Sequence, residues 1–377
     1  MPTGDLTTLD EEGSAGQDFV NTSATRVQRI LIVRLSSMGD VIHTMPAVAL
    51  LRQAFPEASI GWMIEERWAE LLVATGTPRV GPCGPPKPLV EAVHAVNMKA
   101  WRRAPFSEES WRQALWSRRE LRRGRYELAL DFQGAIRSAM MARWAGVPTT
   151  IGFDQPREHA AGVFYARTVE GHGVHVIEQS VSLVAAIAGC PAIVPATEFP
   201  IDDKVEEWCT LQIRKHGITE FAILNPGAGW GAKQWPAERY GKVAKGLAKY
   251  GLRSLVNFGP GEESLARQVE STSGGAAEGV PCSITELIAL TRRARLFVGG
   301  DTGPMHLASA LRVPVVAIFG PTNPARNGPF GTRSVMLRSA SSSTTHARRR
   351  RPDAGLLTIS SDEVLRGAKQ LLEGRVG

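Results

Sequence analysis

The chain reads as two α/β halves, each a doubly wound parallel sheet, and three observations point there. Runs rich in β-branched residues alternate with stretches of helical spacing, the pattern of successive β-α-β units. That pattern occurs twice, once from Ile30 to Phe153 and again from Phe221 to Phe319, with a proline-rich break between. At 377 residues the chain also exceeds one ordinary hydrophobic core and fits two domains of roughly 150 to 200 residues.

Residues 1–28 are polar, rich in Gly, Ser and Thr, and acidic at Asp5, Asp10, Glu11 and Glu12, a composition unlike a secretory leader. They are expected to be a disordered extension. Strands are expected at Ile30 to Val33, Ser59 to Ile64, Val93 to Val96, Leu128 to Asp131 and Thr150 to Phe153. A second series falls at Phe221 to Asn225, Ser254 to Phe258, Leu296 to Gly299 and Val313 to Phe319. Between the series, Cys190 to Pro200 carries too many prolines for a helix and is too broken for a central strand, so it reads as the linker. The expected domains are 29–195 and 196–360. Near the end, Ser339 to Ser343 and His346 to Pro352 form a basic, low-complexity loop with no packing pattern, expected to be mobile. Ser360 and Glu363 then have the spacing of a capping box for a last helix in 361–377.

Hydrophobic content is 43%, and no apolar run approaches the roughly 20 residues that span a bilayer. The four cysteines lie far apart, which suggests neither a disulfide framework nor a zinc site and points to the cytoplasm. The net charge of +7 favours an anionic partner, whether nucleic acid, membrane surface or phosphorylated substrate.

The chemistry concentrates in loops that leave strands. After Val33 come Arg34-Leu35-Ser36-Ser37-Met38-Gly39-Asp40, at the carboxyl end of a parallel strand, where open α/β sheets place ligands. Asp40 is there either a helix cap, since Ser37 and Asp40 have capping-box spacing, or a catalytic carboxylate. After Asn225, Pro226-Gly227-Ala228-Gly229-Trp230-Gly231-Ala232-Lys233 offers glycines for close backbone approach and a lysine as point charge. That suits a phosphate-holding loop, though a structural turn remains open. After Phe258, Gly259-Pro260-Gly261-Glu262-Glu263 places a carboxylate within reach of a ribose, while Glu263 reads as a helix first turn. The sharpest signal is Gly300-Asp301-Thr302-Gly303-Pro304-Met305-His306, which opens an apolar helix and so offers an anion site, with His306 as a titratable donor.

In the first half, Lys99, Trp101, Arg102, Arg103, Phe106, Trp111, Trp116 and the arginines from Arg112 to Arg125 interleave cationic and aromatic side chains. Such a stretch suits an anionic amphiphile, or else is a solvated helix face. Lys99, Arg102 and Arg103 are expected in a loop. The segments from Asp131 to Ser138 and Asp154 to His159 end further strands toward the same cleft, as ligand contacts or as caps and turns.

The first-loop motif through Pro46, Lys233-Gln234-Trp235-Pro236, Asp301 to His306 and Phe319-Gly320-Pro321-Thr322 closely resemble the ADP-heptose:lipopolysaccharide heptosyltransferases of glycosyltransferase family 9. The match runs in order from about residue 29 to 331, and its first motif is most like that of the type I members. The resemblance implies a GT-B fold, two Rossmann-like domains facing across a cleft, with the acceptor on the first and ADP-heptose on the second. It implies inverting, metal-independent transfer of heptose to a Kdo residue of the lipid A inner core, with no cofactor, at the cytoplasmic face of the inner membrane. It makes Asp40 the general base. Gly227, Ala228, Lys233, Glu262, Asp301, Thr302, Gly303 and His306 become donor contacts. Ser37, Gly39, Lys99, Arg102, Arg103, Gln133, Arg137 and Arg157 become acceptor contacts. It also implies that the last helix returns to the first domain. The N-terminal extension and the basic loop have no counterpart in the motifs.

Two other readings stand beside this one. A family member with another glycolipid acceptor would share the fold and the basic-aromatic region, whereas a nucleotide-sugar 2-epimerase would share the fold but, with its small substrate, leaves that region without a role. A basic nucleotide- or nucleic-acid-binding module would use the charge but not the Asp40 loop, and no nucleic-acid-binding motif is present.

Overall fold

The computed structural model describes residues 27–215, 217–345, 349 and 351–374. Most of the expected N-terminal extension and part of the basic loop lie outside the described residues.

The first half is a six-stranded sheet of β1 (Arg29–Val33), β2 (Ser59–Glu65), β3 (Ala92–Val96), β4 (Leu128–Asp131), β5 (Thr149–Phe153) and β6 (Arg167–Val169), in the order β3-β2-β1-β4-β5-β6. All its pairings are parallel, with Val33 opposite Asp131 where β1 meets β4. The second half repeats this plan. Its strands are β7 (Phe221–Asn225), β8 (Arg253–Phe258), β9 (Ala277–Pro281), β10 (Leu296–Gly300), β11 (Val315–Phe319) and β12 (Ser334–Arg338). Their order, β12-β11-β10-β7-β8-β9, is the same when counted from the first strand of that half. Central strands such as Ile30 to Val33 are buried throughout, because helices cover both faces.

The expected strands all form. Three that periodicity did not reveal, β6, β9 and β12, lie at sheet edges, where burial is incomplete and no apolar run is required.

Helix α1 (Met38–Ala54) joins the halves. Every residue from Met38 to Leu51 is buried except Asp40, and a helix that is apolar nearly all round belongs inside a molecule. One side packs on α2 (Val176–Ala188), the last helix of the first half, and another on α3 (Gly303–Ala310) of the second. Leu287, Ile288 and Leu307 of the second half share a core with Val41, Ile42 and Met45 of α1. Glu70 adds a polar clasp, its Oε2 accepting from the Thr285 amide at 3.1 Å and hydroxyl at 3.0 Å.

Two expectations are corrected. Lys99, Arg102 and Arg103 stand not in a loop but on a short helix, α4 (Met98–Arg103), which Asn97 caps by accepting from the Ala100 amide at 3.0 Å. The last helix, α5 (Ser361–Glu373), does not return to the first half. A short helix ends at Thr358, leaving only Ile359 and Ser360 as connection, too little to reach across. Its apolar face of Val364, Gly367, Ala368 and Leu371 instead completes the second core, packing on β10, β11 and β12 and beside Val243, Ala244 and Leu247. The Ser360–Glu363 capping box that starts it is present.

The basic loop, expected to be without packing, is tied down at its described residues. Thr345 donates to the Pro321 carbonyl at 2.9 Å, and Ala232 donates to that of Arg349 at 3.0 Å.

Candidate active site

In both sheets the strand order reverses at the centre, between β1 and β4 and between β7 and β10, where loops diverge and leave a crevice. The seam packing brings those two crevices together.

On the first side, Asp40 is both cap and exposed carboxylate. Its Oδ2 accepts from the Ser37 amide at 2.7 Å and the Ser37 hydroxyl at 3.0 Å, and its Oδ1 pairs with Arg34 at 2.8 Å. Burial alone would raise its pKa, but Arg34, the two Ser37 bonds and His306 outweigh burial and hold it below the ordinary carboxylate value. The carboxylate is walled by protein at longer range while 40% of the side chain still faces solvent, which suits a base that an acceptor must reach. Arg34 is anchored in turn on the Phe132 carbonyl. Gln133 braces the same loop, its Oε1 accepting from the Leu35 amide at 3.1 Å and the Ser36 amide at 3.2 Å.

On the second side, Lys233 donates to Asp301 Oδ2 at 2.6 Å and to the Asp301 carbonyl at 3.2 Å. His306 Nε2 lies 3.1 Å from Asp301 Oδ1, and its Nδ1 lies 3.0 Å from His43 Nε2 on α1. A carboxylate only accepts, so His306 Nε2 carries a proton. His306 Nδ1 and His43 Nε2 then share one proton in the second hydrogen bond. The result is a continuous polar chain, Lys233–Asp301–His306–His43, from the lysine loop to the helix that carries Asp40. Burial would raise the Asp301 pKa, yet His306 and Lys233 hold it far below the ordinary value. For His43 burial, His306 and His175 all act in one direction and keep it neutral. His175 closes the cluster, its ring 5.4 Å from that of His43, with Nε2 donating to the Gly328 carbonyl at 3.0 Å.

The glycines are positional. A Cβ on Gly39 would come within 2.5 Å of the His306 ring, and one on Gly303 within 2.5 Å of the Met38 sulfur, so both glycines let the N-termini of α1 and α3 meet. Gly227 similarly lies against the Glu262 carboxylate, which accepts from the Gly259 amide at 3.0 Å. Ala228 follows in the same loop, partly buried. Thr302 caps α3 and donates to Asn225 Oδ1 at 2.9 Å, linking the ends of β7 and β10. Buried Trp235 holds the lysine loop from below, donating to the Ile359 carbonyl at 3.0 Å.

The basic residues expected at the acceptor all lie beyond carboxyl ends of first-half strands: Lys99, Arg102 and Arg103 after β3, Arg137 after β4 and Arg157 after β5, each exposed. Glu158 stitches the last two loops, its amide donating to the Gly134 carbonyl at 2.8 Å and its carboxylate accepting from the Ile136 amide at 2.9 Å. Asp131, by contrast, is a structural pin. It is wholly buried and accepts from the Gln133 and Gly134 amides, the Ser138 hydroxyl and the Tyr165 hydroxyl.

Sequence reading left Arg34, His43, His175 and Asn225 without a role. The first two lie within the opening motif, but nothing local says that Arg34 turns back onto Asp40 or that His43 faces a residue 263 positions away. Among the described residues no group of three His, Cys, Asp or Glu side chains suits a metal ion.

Two Rossmann-type sheets facing across a crevice, one bearing an open carboxylate and the other a lysine and a helix N-terminus, define a glycosyltransferase of the GT-B fold. The chain belongs to glycosyltransferase family 9 (heptosyltransferase), whose model matches residues 114–355. It is 30% identical over 321 residues to lipopolysaccharide heptosyltransferase 1 of Pseudomonas aeruginosa, covering 82% of this chain and 84% of that one. With its counterpart from Escherichia coli K12 it shares 27% identity over 351 residues, 89% of this chain and 98% of the other. The structure of the E. coli heptosyltransferase WaaC with ADP superposes with a TM-score of 0.74 at 26% identity, covering 91% of this chain and all of that one.

Proposed function

We propose that the enzyme transfers heptose from ADP-heptose to a Kdo residue of the lipid A inner core, with inversion and without a metal, at the cytoplasmic face of the inner membrane. The observation that carries this reading is the polar chain from Lys233 through Asp301 and His306 to α1, which ties a lysine suited to a diphosphate to the helix that bears the Asp40 carboxylate. The likeness to heptosyltransferase 1 over most of both chains supports the sugar and the acceptor.

In this reading the acceptor hydroxyl attacks the anomeric carbon as its proton passes to Asp40. The carbon–oxygen bond to the diphosphate breaks on the opposite face, and ADP leaves with both electrons. Lys233 and the amides at the start of α3 meet the charge that develops on the leaving oxygen, the main electrostatic task of the step. Gly227, Ala228 and Glu262 hold the nucleoside end, and Thr302, Gly303 and His306 the diphosphate and sugar. Ser37, Gly39 and Gln133 shape the floor under the acceptor. Lys99, Arg102, Arg103, Arg137 and Arg157 meet its carboxylates and phosphates.

Incubation with ADP-heptose and Kdo-lipid A should give, by mass spectrometry, a product heavier by one heptose. Asp40→Ala should lose about 10²- to 10⁴-fold in turnover while still binding ADP, the range for a general base. Lys233→Ala should weaken ADP binding. Full transfer by Asp40→Ala would remove the base assignment.

A further inference from the structure

The basic-aromatic stretch divides in two in the structure, and its larger part lies away from the crevice. Helix α6 (Glu108–Arg123) starts beside α4, at the carboxyl end of the sheet, and ends at Gly124, whose carbonyl accepts from Arg29, the first residue of β1. It therefore runs about 24 Å down the flank of the first half, from the crevice rim to the opposite end, at 1.5 Å per residue.

Its burial is inverted. The face toward the protein carries Ser110, Ser117 and Leu121, whereas Trp111, Leu115 and Trp116 are 59%, 56% and 58% exposed. At 100° per residue those three, with Arg112, Arg118, Arg119, Arg122 and Arg123, occupy an outward arc of roughly 160°. Phe106, just before the helix, is 93% exposed. A water-facing helix has no reason to bury serines and display tryptophans. Beside the apolar side chains lies an open hollow of about 720 Å³, lined by Leu115 and by Arg29, Arg118, Arg119, Arg122, Arg123 and Arg125. Glu109 and Glu120 pair with Arg112 and Arg123 on the helix, but Arg119, Arg122 and Arg125 enter no ion pair among the described residues.

We propose that this flank is the surface on which the protein sits on an anionic phospholipid bilayer, with headgroup phosphates in the arginine hollow and Trp111, Leu115 and Trp116 at the level of the glycerol and upper acyl chains. Tryptophan and arginine on one face of a helix are what that boundary selects, the ring for its mixed polarity and the guanidinium for paired phosphate oxygens. A nucleic acid would use the charge and leave Leu115 and Phe106 in water. The footprint also orients the enzyme. With α6 flat on the bilayer, Lys99, Arg102 and Arg103 stand at its upper end, where a lipid-borne acceptor leaves the membrane, so the assignment deepens and rests on the proposed acceptor.

The test is flotation of the full chain with vesicles of phosphatidylcholine alone or enriched in phosphatidylglycerol. Binding should require the anionic lipid. Arg119→Gln/Arg122→Gln/Arg125→Gln should weaken it by about 100-fold, at roughly fivefold per arginine near the surface. Brominated lipid should quench part of the emission of the nine tryptophans, and Trp111→Phe/Trp116→Phe should abolish that part. Both variants should turn over a delipidated Kdo-sugar acceptor as the parent does, yet lose activity on acceptor embedded in vesicles. Absence of vesicle binding, unchanged binding by the arginine variant, or quenching that survives the tryptophan variant overturns the proposal. So does binding to inorganic polyphosphate or an oligonucleotide as tight as to vesicles, which would make the hollow a soluble-anion site. Failure to turn over any Kdo acceptor would strike the proposed reaction and leave the vesicle result standing.

Discussion

Asp40 carries two demands that pull apart. As a cap it must accept from Ser37, and as the proposed base it must take a proton, while each bond to its carboxylate weakens it for the second task. Arg34 sharpens the conflict, because its guanidinium, once burial is offset, is the strongest influence keeping Asp40 ionised. What is gained is a carboxylate that is charged at every pH the cell meets and fixed in one orientation, which favours positioning over intrinsic basicity. The consequence is a pH profile with a known sign. Only the ionised form accepts a proton, so a lowered pKa extends activity toward acid, and Arg34→Ala should move the acid limb of kcat/KM to higher pH. Arg34→Lys, which keeps the charge but not the fork, should move it less. An acid limb that stays in place in Arg34→Ala would show that Asp40 does not govern it. The sequence shows Asp40 and its cap through the Ser37 spacing, but the Arg34 contact depends on a turn of the chain that no spacing encodes.

At the scale of elements, the site is made where two helices begin. The N-termini of α1 and α3 meet because Gly39 and Gly303 leave room for the His306 ring and the Met38 side chain. An alanine inside a helix ordinarily stabilises by about 1 kcal/mol over glycine. At Gly39 the sign should reverse. The added carbon would meet a buried ring that is bonded at both nitrogens and has nowhere to go, an overpacking cost of about 1 to 3 kcal/mol. Gly39→Ala should therefore lower the midpoint in urea and cut turnover, since the displaced ring also holds Asp301. A variant as stable and active as the parent would mean that the seam gives way freely. The same scale shows what sequence pattern reveals. Central strands such as β1 and β10 are buried on both faces and must be apolar, so they were legible. The edge strand β9 contains both a glycine and a proline and was not. The placement of α5 depended on a two-residue connection, which a helical pattern does not report.

Across the whole molecule, the two halves share one polar seam inside an apolar one. His43 from the first half, His175 at the head of α2 and His306 from the second stand ring against ring, faced by Asp301, Lys233, Arg34, Glu178, Arg326 and the Phe330 ring. Burial leads in pushing both His43 and His175 below the ordinary histidine value, so the fold holds them neutral where the unfolded chain would bind protons. The linkage sign follows. The stability these two contribute is fully present above about pH 6.5 and is lost as the pH falls toward their folded values, by up to ~1.4 kcal/mol per pH unit for each histidine kept neutral. His94, half-buried beside Tyr126 in the first half and pushed down to about 4, adds the same slope from a place remote from the seam. Asp301 acts in a separate window, since its depressed pKa withdraws stability only as the pH falls below the ordinary carboxylate range. Urea titrations from pH 7.5 to 5 should therefore show steadily falling stability. His43→Gln should flatten that slope by about one proton, as should His94→Gln. The two variants should differ in ADP binding. The affinity of the parent and of His94→Gln should fall over the same acid range, because a proton on His43 puts a buried positive charge beside Arg34, His175 and His306 and loosens the seam that aligns Asp301 and Lys233. His43→Gln should lose that pH dependence. Equal pH dependence of ADP affinity in all three proteins would show that the histidine seam and the proposed donor site are not coupled.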